Sequence, residues 1–293
     1  MKRIKGSAKK RKRMISNLFL SPSLIGVLVF FVIPFGVVIY YSLVDNPINR
    51  EFVFLRNFMS VLQNQAFLRA AKNTATFSLL TVPLAVVLSL GLALLLDEKI
   101  PLRSQFRTFF LSPMMVPVAS IVLIWQVLFH YNGAVNGFLA TFGIDKIDWL
   151  KSDYGQLVIA ILFLWKNLGY NMILFMSGLA NIPKELIEVM KLETGSRWQT
   201  FVHIKLRYLS PTILFVTILS LINSFKVFRE VYLMTGDYPY DSLYLLQNFM
   251  NNTFLSLDYQ KLSAAAILMA IVMVALIGGL FIAENKFGKD VEG

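Results

Sequence analysis

Two apolar stretches of this 293-residue sequence carry side chains that hydrocarbon would not accept without a reason. In the first, residues 156–179, Trp165, Lys166, Asn167, Tyr170 and Asn171 cluster near the centre. A lysine at mid-bilayer costs about 2.5–3.5 kcal/mol on insertion scales, so it calls for a partner or a water-filled cavity. In the second, which begins at residue 211, Ser220, Asn223, Ser224 and Glu230 fall within about 120° of arc at ~100° per residue, with Lys226 at the margin. Two such polar helix faces read as a path through a bilayer, lined by Lys166, Asn167, Tyr170, Asn171, Ser220, Asn223, Lys226 and Glu230. Rings stack on C–H faces and amides hydrogen-bond hydroxyls, which suits a polar, uncharged solute such as a sugar. The structural alternative makes Asn167 and Asn171 hydrogen-bonding links between helices. It lets Lys226, Arg229 and Glu230 snorkel or pair near a membrane surface.

Other chemistry is largely excluded. There is no cysteine, which removes disulfides, thiolate metal sites and thiol nucleophiles. His130 and His203 are too few for a histidine metal cluster. The sequence contains no G-x-x-x-x-G-K-[ST] phosphate loop, no H-E-x-x-H and no G-x-S-x-G. The expectation is a chain that is not an enzyme, binds no cofactor or metal, and takes its work from a partner.

The elements that must position these residues follow from hydropathy. The chain is 56% hydrophobic and only 15% charged, against about 25% charge in soluble domains. An integral membrane protein of the all-α class is expected. Six apolar runs are long enough to cross a bilayer core of roughly 30 Å: residues 18–43, 73–96, 108–129, 156–179, 211–232 and 262–282. Pro113 and Pro117 are expected to kink the third. This divides the chain into a basic tail (1–17), a six-span domain (18–283) and a short C-terminal tail (284–293). Of the 28 Lys and Arg residues, 18 fall on the amino-terminal side of this topology, seven on the other, and three in or near spans. By the positive-inside rule both termini are cytoplasmic. The net charge of +11 is accounted for by this topology, and no nucleic-acid partner is expected.

Between the fourth and fifth spans lies a polar stretch unlike any other, residues 181–211. Asn181 is placed as a helix N-cap with Pro183 in the first turn. Leu186, Val189 and Met190 recur at helical spacing opposite Lys184, Glu188 and Lys191. Thr194-Gly195 interrupts the pattern, and Ser196 to Gln199 has the spacing of a capping box. A helix–Gly–helix with an apolar face on the cytoplasmic surface is a shape suited to plugging into another protein.

This stretch resembles the EAA loop of permeases of ATP-binding-cassette importers, and within them the carbohydrate branch typified by maltose and glycerol-3-phosphate systems. The residues that carry the likeness are Ile182-Pro183-Lys184-Glu185-Leu186, Glu188, Ser196, Trp198-Gln199, Phe201, Ile204, Leu206, Leu209 and Pro211. Asn57-Phe58 and the run Val227-Phe228 to Leu233-Met234-Thr235-Gly236 are similar as well. Val189, Met190, Thr194 and Arg207 depart from the pattern. The resemblance implies an importer permease whose Glu185, Glu188, Gly195, Ser196, Trp198 and Phe201 seat in a cytoplasmic ATPase. ATP and Mg would be bound by that ATPase. It also implies a second permease, usually a homologous but different chain, and an extracellular solute-binding protein, all arranged around a lipid-embedded core. The competing reading is a multi-pass scaffold or sensor that docks a cytoplasmic partner without transport.

Overall fold

The structure, a computed structural model, describes residues 17–98 and 101–287. The basic tail, Lys99 and Lys289 lie outside the described residues. In chain order the helices are α1 (Asn17–Leu43), α2 (Arg56–Leu62), α3 (Gln65–Asp97), α4 (Arg103–Met115), α5 (Val118–Leu128), α6 (Ala134–Ala140), α7 (Gly155–Ala180), α8 (Lys184–Thr194), α9 (Arg197–Thr200), α10 (Ser210–Lys226), α11 (Phe228–Thr235), α12 (Leu246–Leu255) and α13 (Tyr259–Phe287). Five stretches are long and apolar enough to span a membrane by themselves: α1, α3, α7, α10 continued through α11, and α13.

The third span is built differently from the expected kinked helix. α4 and α5 pass the length and hydropathy test only as a pair, and they are bent by 99° at the break between them. Pro113 sits inside α4 without interrupting it. The break falls at Val116 and Pro117, whose ψ angles of 133° and 138° are both extended. Proline disfavours helical backbone in the residue before it, and its missing N–H cannot continue the ladder. α1 absorbs Pro34 more gently, through a π turn at Leu28–Val32 just upstream.

The described residues form two compact units. The first takes the chain through Gln63 together with Thr253–Ile271. Here Asn57 on α2 ties back to the end of α1, its Nδ2 donating to Ser42 O (3.0 Å) and Val44 O (2.8 Å). No residue in the apolar window of α1 is buried, as expected of a helix that meets lipid.

The second unit takes Asn64–Asn252 and the chain from Val272. Its core has two clusters. One joins α3, α5, α7 and α11 through Phe77, Ile121, Leu162, Phe163 and Val231. The other joins α3, α7 and α10 through Ala93, Met172, Phe175, Leu179 and Val216. α4 and α7 touch at Gly169, where an added Cβ would lie 1.9 Å from the Phe110 carbonyl oxygen. Polar groups gather at the two ends of this unit as alternate spans require. At one end Arg69 pairs with Asp241 (2.6 Å), and Asn73 Nδ2 and Gln156 Nε2 donate to Asp241 O and Ser242 O (both 2.7 Å). At the other, Lys205 pairs with Asp97 (3.3 Å) and Arg197 with Glu98 (3.5 Å).

Candidate functional site

The polar faces predicted on the fourth and fifth spans turn toward each other. α7 and α10 run antiparallel, and their polar residues meet as rungs along one seam. Asn171 Nδ2 donates to Ser220 Oγ (2.9 Å), and Asn223 Nδ2 donates to Asn167 Oδ1 (2.9 Å). Lys166 Nζ pairs with Glu230 on α11. Ser78 of α3 shares a hydrogen bond with Ser224 (2.8 Å). Asn171, Ser220 and Ser224 are buried, whereas Asn167 and Asn223 are half-buried. The Lys166 and Glu230 side chains are 22% and 9% exposed. Two charges that would each be costly in hydrocarbon therefore neutralise each other there.

Six of the eight residues expected to line a path thus come together, as a seam between helices and not as two facing walls. Lys226 is exposed and Tyr170 half-buried, and neither takes part in the seam among the described residues. Ser78 was missed because one serine in an apolar run is a weak signal. The available signal was the spacing of Thr74, Ser78, Thr81 and Ser89, which fall with Ala85 on the buried face of α3.

The loop between α7 and α10 keeps the predicted helix–Gly–helix form. Gly195 has φ +61°, a left-handed conformation that a Cβ disfavours. Ser196 caps the next helix, its Oγ accepting from Gln199 N at 3.4 Å. The start of the loop needs correction. Asn181 does not cap α8; its N–H closes α7 by donating to Gly178 O (3.2 Å). α8 begins only at Lys184, after Pro183.

The expected apolar face of α8 is divided. Ile187 and Met190 pack on the second core cluster. Leu186, Val189 and Leu192 are exposed, the last at 88%, and Trp198 is 70% exposed. Glu185 and Glu188 are exposed as well. Glu185 lies in the first turn of α8, where the helix dipole favours a negative charge. Trp198 stacks obliquely on half-buried Phe201, with centroids 5.6 Å apart. Beside them a groove of about 1070 Å³ has an apolar floor of Leu90, Leu94 and Ile187 and a charged rim of Asp97, Glu98 and Lys205. Among the described residues no group of three or more His, Asp or Glu could hold a metal ion.

Residues 85–285, which contain both the seam and the loop, match the family described as binding-protein-dependent transport system inner membrane component. The chain belongs to this family. It is a multi-pass membrane protein, the permease subunit of an ABC importer, and not itself an enzyme. A non-transporting scaffold is not favoured. Among relatives, the chain is similar to the trehalose/maltose transport system permease protein MalF of Thermococcus litoralis, with 28% identity over 96% of this chain and 97% of that protein. It is also similar to the probable starch degradation products transport system permease protein AmyD of Thermoanaerobacterium thermosulfurigenes, with 27% identity over 89% and 90%. A solved bacterial ABC transporter involved in import of the acidic polysaccharide alginate shares the fold. Its TM-score is 0.83 at 21% identity, over 96% of this chain and 98% of that one.

Proposed function

We propose that this permease moves a sugar or oligosaccharide inward, fed by an extracellular solute-binding protein. It works beside a second, homologous permease and is driven by a cytoplasmic ATPase that binds ATP and Mg. Both termini and the α8–α9 loop lie in the cytoplasm. The loop seats in a groove of the ATPase, with Glu185, Glu188, Gly195, Ser196, Trp198 and Phe201 as its docking surface. ATPase closure pushes on the loop and swings the spans between inward- and outward-facing states.

The observation that carries this reading is the exposed apolar knob of Leu186, Val189, Leu192 and Trp198 beside a left-handed glycine. Each large apolar side chain gains about 1.5–3 kcal/mol when fully covered, and lipid cannot cover a knob surrounded by charges. The carbohydrate assignment is supported by the relatives' substrates and by the amide-rich seam. Its half-buried members Lys166, Asn167 and Asn223 border the solute route, together with Tyr170 and, toward its end, Lys226.

Co-purification of the ATPase tests the docking role. Glu188→Lys and Gly195→Pro should each abolish it while membrane insertion stays normal; unchanged co-purification with both variants would sink the assignment. Solute-stimulated ATP hydrolysis in the reconstituted complex, screened over oligosaccharides, tests the substrate class. Lys166→Leu should change uptake, and wild-type uptake and affinity would return Lys166 to a purely structural role.

A further inference from the structure

The first unit contains a cleft that neither the seam nor the loop uses. Asp45, Arg56, Asn57, Asp258, Gln260 and Lys261 line a space of about 410 Å³. Its carboxylate oxygens are taken with one exception, Asp258 Oδ2. Asp45 Oδ1 already accepts from Asn46 N (2.7 Å) and Glu51 N (2.9 Å), and its Oδ2 accepts from Asn46 Nδ2 (2.6 Å). Asp258 Oδ1 accepts from Lys261 N at 3.1 Å. Asn57 directs its Nδ2 to the backbone at the end of α1. The donors are in the opposite position. Neither Arg56 nor Lys261 is in an ion pair among the described residues. Gln260 is only 6% exposed, and its Nε2 has no acceptor among them. Buried N–H groups are rarely left that way, so the cleft is built to receive negatively charged oxygen.

Its place in the fold identifies the source of that oxygen. The cleft lies where α1 ends and α13 begins, the level at which two spans leave the bilayer. Tyr40, Tyr41 and Tyr259 ring this level, with centroid separations of 5.9 Å and 6.4 Å; amphipathic rings of this kind settle at lipid headgroups. The unburied apolar surface of α1 offers acyl chains a wall to lie against.

We propose that this cleft holds the headgroup of a zwitterionic phospholipid, with its phosphate on Arg56, Lys261 and Gln260 and its ammonium on the free oxygen of Asp258. Both contacts are charge-assisted hydrogen bonds. The importer containing the full chain, purified in detergent, is titrated with phosphatidylethanolamine, phosphatidylglycerol or soluble glycerophosphoethanolamine and read by native mass spectrometry. Phosphatidylethanolamine should be retained in preference to the other two. Arg56→Gln combined with Lys261→Gln should weaken retention by about tenfold, the scale expected for losing two solvent-accessible charge pairs. Equal retention of phosphatidylglycerol would overturn the zwitterion, and equal binding of the soluble headgroup would overturn the lipid. Undiminished retention by the double variant would overturn the site. Crosslinking of Lys261→Cys to the solute-binding protein, with lipid retention unaffected, would reassign the cleft to a protein partner. The comparison among ligands uses the wild-type chain, so it stands even where a variant folds poorly.

Discussion

Lys166 and Glu230 depend on each other more than on anything around them. Removing Lys166 leaves the Glu230 carboxylate, only 9% exposed, as an uncompensated charge. Lys166→Met should therefore cost about 3–5 kcal/mol of stability. Joining it with Glu230→Met should recover most of that loss, because the pair's replacement by apolar groups strands nothing. Thermal unfolding of the singles and the double in detergent gives the coupling; additive losses would show that the two groups are independent. Gly169 makes a simpler demand. A methyl group there meets backbone, the Phe110 carbonyl at 1.9 Å, and backbone cannot rotate aside. Gly169→Ala should destabilise by about 1–3 kcal/mol, as overpacking does, and lower the melting temperature and the yield of folded protein. An unshifted transition would mean that α4 can move off α7 freely.

At the scale of elements, the loop between α7 and α10 shows what pattern reading can and cannot deliver. The glycine break and the Ser196 cap were legible because both are local: one needs a backbone that only glycine adopts readily, the other a side chain three residues from its donor. The division of the α8 face was not legible. Leu186, Ile187, Val189, Met190 and Leu192 are all apolar, and only the position of the core cluster decides that Ile187 and Met190 turn inward. The exposed remainder yields a prediction that separates docking from folding. Trp198→Ala removes a side chain that is 70% exposed. It should change stability by no more than about 0.5 kcal/mol, as surface substitutions do, while weakening ATPase association by about tenfold or more, as truncating an aromatic anchor does. A pull-down titration beside a melting curve would distinguish the two. The bend between α4 and α5 was half legible: Pro117 announced a disturbance, but a kink and a 99° break share the same residues.

For the whole chain, the six apolar runs were readable because hydrocarbon thickness sets a length that composition must satisfy. What stayed hidden was the pairing of polar faces. Periodicity says which side of a helix is polar; it does not say whether that side meets water or another helix. Orientation rests on 18 basic residues against seven, and the absence of cysteine makes it easy to test. Leu192→Cys and Tyr238→Cys place single thiols at positions 88% and 83% exposed. A membrane-impermeant maleimide added to intact cells that express the chain without its ATPase should label the second and reach the first only after lysis. The reverse pattern would invert the topology.

The rungs between α7 and α10 also determine where this protein can flex. Sliding α7 past α10 and α11 would break Asn171–Ser220, Asn167–Asn223 and Lys166–Glu230 together. The two helices must travel as one rigid block. Relative movement is left to the joints outside the block, at Val116–Pro117 and at Gly195, so a push delivered at the loop would be felt as leverage rather than lost as slippage.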